Sequence, residues 1–296
     1  MIANNALDLI TNTPIVKINK LVGKNDATIL AKLERTNIGG SIKDRIAKYM
    51  IEKAEKEGRL TKDKIILEAT SGNTGIGIAL VSAVKGYKAI LVMPKSVSIE
   101  RVKMIRALGS KVILTNGEEW NAIKKANEML RSNPKKYFML DQFNSEDNVL
   151  AHYETTGKEI LEQTNGRLDM LIAGIGTGGT IIGVSKRLKE YNPKIKIVAV
   201  EPFLGEKIQG LRNMNEPYSP SIFDETKIDE KINVTLKQAK NMTRRLAKEE
   251  GLFVGLSSGA AMHVAVQKAK ELKKGKTIVV ILPDLGERYL SCDVFK

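Results

Sequence analysis

The chain has 296 residues, 42% of them hydrophobic, with one cysteine (Cys292) and two histidines (His152 and His263). That length fills a sizeable core in one large or two modest domains, while so few thiols and imidazoles exclude a disulfide framework and argue against a metal centre. The net charge of +14 comes from lysines interleaved with glutamates in amphipathic stretches such as "MIEKAEKEGRLTKDK". With few aromatics for base stacking, this reads as a solvated surface rather than a nucleic-acid platform. No apolar run approaches the ~20 residues of a membrane span, and the N-terminal stretch lacks the basic-then-apolar order of a signal peptide, so no membrane association and a cytoplasmic location are expected.

In chain order, apolar runs predict strands at 27–34 ("ATILAKLE"), 64–69, 88–94 ("KAILVMP"), 110–115, 169–175 ("DMLIAGI"), 195–202 and 277–283 ("TIVVILP"). Helical periods fall between them, among them 99–109 ("IERVKMIRALG"), 118–132 ("EEWNAIKKANEMLRS") and 152–164 ("HYETTGKEILEQT"), many ending on Gly or Asn. The alternation predicts an α/β fold with mostly parallel, twisted sheets covered by helices, whose ligands bind beyond the carboxyl ends of the strands. The polar stretch "FNSEDNVL" (143–150) separates two comparable α/β runs and suggests two lobes. The irregular stretch 210–230 ("GLRNMNEPYSPSIFDETKIDE"), with its two prolines, is expected to cross the surface near the cleft.

Four loops carry the chemistry. In "TNIGGSIKDR" (36–45), Lys43 follows two glycines at the head of a helix, where the backbone dipole and burial favour the neutral, nucleophilic amine. In "TSGNTG", Thr70, Ser71 and Thr74 supply hydroxyls, Asn73 an amide and Gly72 open backbone at a helix start suited to a carboxylate. In "GIGTGGT" (174–180), glycines with Thr177 and Thr180 describe a phosphate cradle that is neither a Walker loop nor a clean dinucleotide fingerprint. In "VGLSSGAAMHVA" (254–265), a strand again enters a helix through Gly and Ser, with Ser257 or Ser258 also able to act as a plain cap. One ligand accounts for all four: pyridoxal phosphate, a phosphorylated aldehyde with a ring nitrogen, whose partner substrate is an amino acid.

The order of these loops resembles the cysteine synthase (O-acetylserine sulfhydrylase) branch of the β-family, fold type II, of pyridoxal-phosphate enzymes. The resemblance runs along nearly the whole chain, through "TPIVKINK", "EATSGNTGIGIAL", "DQFN", "GIGTGGTIIGVSKRLKE" and "ILPDLGERYLS". Details such as "LDQFN" and "PDLGERYL" look more like the B isozyme. It implies two lobes, residues 35–150 carrying Lys43 and the TSGNTG loop, and residues 1–34 with 151–296 carrying the phosphate loop and Ser257. By the same resemblance Lys43 is the Schiff-base lysine, Asn73 bonds the cofactor's ring hydroxyl, and Gly176, Thr177, Gly178, Gly179 and Thr180 hold its phosphate. Ser257 bonds the pyridine nitrogen, and Thr70, Ser71, Gly72, Thr74 and Gln142 hold the substrate carboxylate. Ile38 and Gly39 stand where the family usually has Pro and then Ala or Ser, which bears on loop stiffness.

The implied reaction is β-replacement on an O-activated L-serine by a sulfur nucleophile, through an aminoacrylate, to give L-cysteine, in a homodimer. The alternative is the same site consuming L-cysteine, releasing sulfide and adding water or a second thiol to give serine, lanthionine or cystathionine. Asp224 and Asp229 are the candidates for activating water. A non-catalytic regulator or nucleic-acid binder on this fold is the alternative of another class, against which the intact Lys43 and phosphate loop argue. Arg212, where B-type enzymes similarly carry arginine, is expected to bind an anionic sulfur donor or a substrate phosphate.

Overall fold

The computed structural model describes residues 2–216 and 218–295; Pro217, one of the two prolines of the crossing segment, lies outside them. In chain order the elements are β1 (Ile15–Lys17), β2 (Thr28–Leu33), α1 (Lys43–Lys56), β3 (Ile65–Ala69), α2 (Asn73–Lys85), β4 (Lys88–Pro94), α3 (Ile99–Ala107), β5 (Lys111–Thr115), α4 (Glu119–Ser132) and β6 (Tyr137–Met139). They continue with α5 (Glu146–Ala151), α6 (Lys158–Thr164), β7 (Met170–Gly174), α7 (Gly179–Tyr191), β8 (Lys196–Pro202), β9 (Glu230–Val234), α8 (Leu236–Glu250), α9 (Leu256–Leu272) and β10 (Thr277–Leu282).

The strands form a six-stranded sheet, ordered β1-β2-β10-β7-β8-β9, and a four-stranded sheet, ordered β5-β4-β3-β6. Among the described pairings only β1 with β2 is antiparallel. The apolar runs read from sequence become central strands, many of them buried on both faces, except β5, which ends its sheet with exposed and half-buried side chains. In β10, Ile278 and Val280 pack with α8 and α9 residues such as Leu246 and Ala261, whereas Val279 and Ile281 pack on the other face with Ile181 and Val184 of α7. Every strand expected from such a run is present.

β1, β6 and β9 were not anticipated. Each is the end strand of its sheet, and their side chains are largely half-buried. An edge strand covered on one side needs no long apolar run, although β5, also at a sheet end, carries one at 110–115. The region 152–164 differs too, because α5 and α6 are joined through a π-helical turn at His152–Gly157 rather than forming one α-helix from 152. A π-turn re-aims the side chains it carries. The polar stretch at 143–150 contributes the cap Ser145, whose side chain accepts from Asp147 N, and then α5, with Asn148 and Val149 buried.

A buried ion cluster anchors α1, the helix that begins at Lys43. Arg45 bridges Glu34 at 2.7 Å and Glu159 at 2.6 Å, and Lys32 on β2 bonds the other Glu159 oxygen at 2.6 Å. These partners hold the Glu159 carboxyl down at about 2 against the opposing effect of burial, the largest single influence on it. Removing one member would leave buried charge unpaired, which is the costly case.

Candidate active site

Two strand-to-helix corners face each other across one cavity. Where β3 enters α2, Gly72 takes φ 156° as the N-cap residue, a conformation that L side chains rarely adopt. A Cβ there would lie 2.2 Å from Cδ of Arg101. Thr70 Oγ1 accepts from Gly72 N at 3.0 Å, and Thr74 Oγ1 donates to Gln142 Oε1 at 2.6 Å. Gln142 is itself fixed, donating from Nε2 to the Ala69 carbonyl at 3.0 Å and from its backbone to Glu68 at 3.2 Å. Burial pushes the Glu68 carboxyl up to about 8, against the backbone N–H groups that favour its charge.

Where β7 enters α7, Gly178 takes φ 90° and no side chain caps the helix, so the N–H groups orphaned in any first turn remain available to a ligand. The loop hydroxyls are held from behind. Asn148 Nδ2 donates to Thr177 Oγ1 at 3.0 Å, and His152 Nε2 lies 3.1 Å from Thr180 Oγ1 with its Nδ1 3.0 Å from Thr156 Oγ1. Burial, with the charges of Lys43 and Arg45, keeps the His152 ring well below its ordinary pKa and therefore neutral.

Lys43 opens α1 on the cavity wall. The chain leading to it is zipped to the end of β10, Ile42 N donating to the Pro283 carbonyl at 2.9 Å. Its amine has no hydrogen bond or ion pair among the described residues. Burial lowers its pKa to about 8, and the Glu119 carboxylate opposes the shift. Ser257, in the first turn of α9, is 4% exposed and its hydroxyl is likewise without a partner among the described residues. Asn73 is oriented by two residues from beyond β10: its Nδ2 donates to Asp284 at 2.7 Å, and its Oδ1 accepts from Arg288 at 2.6 Å. Arg288 also donates to the Gly39 carbonyl, and Gly39 N donates to Asp44 at 2.8 Å. A Cβ on Gly39 would stand 2.6 Å from the Asp44 carboxylate, so this loop, though it lacks the family's proline, is tied down from both sides.

The cavity measures about 710 Å³ and is lined by Lys43, Thr70, Ser71, Gly72, Asn73, Thr74, Gln142, Gly176, Thr177, Gly178, Thr180, Arg212 and Ser257. Of the residues assigned to the cofactor and the amino-acid substrate from sequence, Gly179 is not at its wall; a Cβ on Gly179 would lie 2.1 Å from Oδ1 of Asn148, so it serves close packing behind the loop. A bare helix start flanked by backed hydroxyls, an amine easily made neutral and a free hydroxyl at a third helix start together fit a phosphorylated aldehyde with a ring nitrogen.

The family model for pyridoxal-phosphate dependent enzymes matches residues 6–284. A cysteine synthase from Staphylococcus aureus (strain N315) is 46% identical over 99% of this chain and 97% of its own length. The chain belongs to the cysteine synthase-type pyridoxal-phosphate enzymes. Among solved structures, a hydrogen sulfide-producing enzyme from Fusobacterium nucleatum has a TM-score of 0.93 and 45% identity, with 98% of this chain and 100% of that one covered. The cysteine synthase of Entamoeba histolytica has a TM-score of 0.93 and 39% identity, over 100% and 91%. Pyridoxal phosphate is the cofactor of this family.

At the mouth of this cysteine synthase-type cavity, Arg212 is buried rather than solvent-facing, its carbon Cζ 5.2 and 5.6 Å from the ring centroids of Phe143 and Tyr218, which pack edge to face on each other. It donates to Glu119 at 2.5 Å and to the Tyr218 carbonyl at 2.7 Å. Asp224 and Asp229 do not reach the cavity. Asp224 caps the turn at Glu225–Lys227, and Asp229 pairs with Lys189 at 2.7 Å. Residues that sequence reasoning missed are Asn148, His152, Glu119, Asp284, Arg288 and Arg101, whose Nη1 donates across the cleft to Gln209 at 2.7 Å. "PDLGERYL" carried Asp284 and Arg288 within a matched motif, but nothing local to them signals a partner so far away in sequence.

Proposed function

We propose that this chain joins an O-activated L-serine to a sulfur nucleophile and so makes L-cysteine by β-replacement. The observation that carries the reading is one cavity holding the Lys43 amine, the Ser257 hydroxyl, without a partner among the described residues, and the uncapped start of α7. Pyridoxal phosphate, when bound, supplies the electron sink that makes the β-substituent a leaving group. The backbone N–H groups and hydroxyls of Gly176–Thr180 hold its phosphate, with Gly179 acting through packing. Lys43 holds the cofactor and moves the proton at the substrate's α-carbon, a role that suits an amine with a pKa near 8. Ser257 offers a neutral hydroxyl to the ring nitrogen, which leaves that nitrogen unprotonated and favours replacement over transamination. Asn73 retains one amide N–H and one lone pair for the ring hydroxyl. Thr70, Ser71, Gly72, Thr74 and Gln142 orient the substrate carboxylate.

The lobe of residues 35–150 is read as closing upon the lobe of 1–34 and 151–296 to exclude water. A homodimer in the cytoplasm is part of the same proposal, supported by the family. Incubation of the purified, cofactor-loaded protein with O-acetyl-L-serine and sulfide, with O-phospho-L-serine and sulfide, and with L-cysteine alone tests it. L-Cysteine formation from an activated serine is expected to be the fastest reaction. Sulfide release from L-cysteine exceeding both syntheses would overturn this reading in favour of the cysteine-consuming one.

A further inference from the structure

Behind the start of α7, His152 has both ring nitrogens engaged: Nε2 is 3.1 Å from Thr180 Oγ1, and Nδ1 is 3.0 Å from Thr156 Oγ1. His152 and Thr156 are fully buried, whereas Thr180 lines the cavity. The π-helical turn at His152–Gly157 carries both buried residues, and it lies flush against α7 at Gly183. A Cβ there would stand 2.3 Å from the Val149 carbonyl oxygen and 2.8 Å from the His152 Cβ.

Burial keeps the ring neutral, so it has one N–H and one lone pair, and donor counting decides which nitrogen holds the proton. Among the described residues Thr156 Oγ1 has His152 Nδ1 as its hydrogen-bond partner and no other. With the proton on Nδ1, the Thr156 hydroxyl would accept it, and its own hydrogen would be buried without an acceptor, which is costly. With the proton on Nε2, Thr156 donates to Nδ1 and Nε2–H donates to Thr180 Oγ1. One hydrogen is then left over. It belongs to the Thr180 hydroxyl, which has no acceptor among the described residues and stands at the cavity wall.

We propose that Thr156 and His152 are positioning residues for the cofactor phosphate, locking the imidazole as its Nε2–H tautomer so that Thr180 turns its hydroxyl hydrogen into the cavity. The loop then presents donors alone, the Thr180 O–H beside the backbone N–H groups of the helix start, and an oxyanion meets no lone pair at that point. The three bonds run in one direction, from Thr156 through His152 to Thr180. Bonds so aligned polarise one another, which makes the terminal O–H a stronger donor than an unsupported threonine.

The inference rests on the reading of Gly176–Thr180 as the phosphate loop. It is tested on the cofactor-loaded protein by nitrogen NMR of the imidazoles, of which the chain has two, His152 and His263. Long-range proton–nitrogen correlations are expected to show His152 protonated at Nε2 and unprotonated at Nδ1. A protonated Nδ1 in the wild type would overturn the inference whatever the variants do. Thr156→Val keeps the shape of a side chain that does not line the cavity and removes its hydroxyl. The His152 Nδ1 signal should then move downfield as its donor is lost, and the phosphorus resonance of the bound cofactor should shift. The cofactor dissociation constant from equilibrium dialysis should rise about threefold, because the phosphate contact is weakened rather than removed. Thr156→Ser should restore all three readouts. A resonance and dissociation constant unchanged in Thr156→Val, with the resonance still shifted by Thr180→Ala, would reduce Thr156 and His152 to packing and overturn their positioning role alone. A resonance indifferent to Thr180→Ala as well would overturn the phosphate-loop reading itself.

Discussion

The corners at Thr70–Thr74 and Gly176–Thr180 are built alike and supported differently. Each follows a parallel strand, passes through a positive-φ glycine and opens a helix with no side-chain cap. The Gly176–Thr180 corner is backed by neutral groups, Asn148 on Thr177 and His152 on Thr180, so nothing beneath it competes electrostatically with an anion. The Thr70–Thr74 corner rests on Gln142, which rests on the buried carboxyl of Glu68, and it abuts Arg101. A helix start attracts anions in either case. The support decides how permanently: one corner suits a dianion that stays, and the other a carboxylate that arrives and departs each turnover.

The largest expected contrast comes from adding a methyl group to each corner. In Gly179→Ala the new Cβ displaces Asn148, which backs Thr177, and cofactor affinity measured by absorbance titration is expected to fall roughly 5- to 150-fold, the span of a 1–3 kcal/mol overpacking cost. In Gly72→Ala the Cβ meets Arg101, and the KM of the amino-acid substrate should rise by a similar factor with the cofactor retained. Loss of cofactor in both variants would erase the distinction.

Deleting single side chains should divide the same way with a narrower effect. Thr180→Ala removes one charge-assisted contact and is expected to weaken cofactor retention about tenfold, the low end of 1.5–3 kcal/mol. Gln142→Ala should raise the amino-acid KM about tenfold, and equilibrium dialysis should find its cofactor retention unaltered.

The smallest effect is in pH. The Glu68 carboxyl, raised to about 8, is neutral at pH 7 and becomes charged as pH passes through that value, placing negative charge beneath the loop read as holding the substrate carboxylate. The substrate KM is therefore expected to rise roughly threefold between pH 7 and 9, allowing for screening across the intervening Gln142. Glu68→Gln should remove that rise, and cofactor retention should not share it, because neutral His152 does not titrate upward in this range. A KM profile identical in wild type and Glu68→Gln would show that Glu68 does not act on the loop.

Much of this arrangement was legible in the residues. The central strands announce themselves because burial on both faces demands unbroken apolar runs, as in "TIVVILP", and the corners because small and hydroxyl residues cluster where a strand meets a helix. End strands such as β1 and β9 left no such trace. The supports behind the corners were also silent: His152 reaches Thr180 only because a π-turn places it against α7, and Asp284 and Arg288 reach Asn73 from more than 200 residues along the chain. Arg212 was found as a residue, but its ion pair with Glu119 depends on the crossing segment lying against the start of α4, which no local pattern encodes.

The central claim is that Lys43 is the residue joined to the cofactor, and reduction with borohydride followed by peptide mapping tests it most directly. The account predicts a stable pyridoxyl group on the peptide containing Lys43 and none in Lys43→Ala. A pyridoxyl group on any other lysine of the wild-type protein would contradict it.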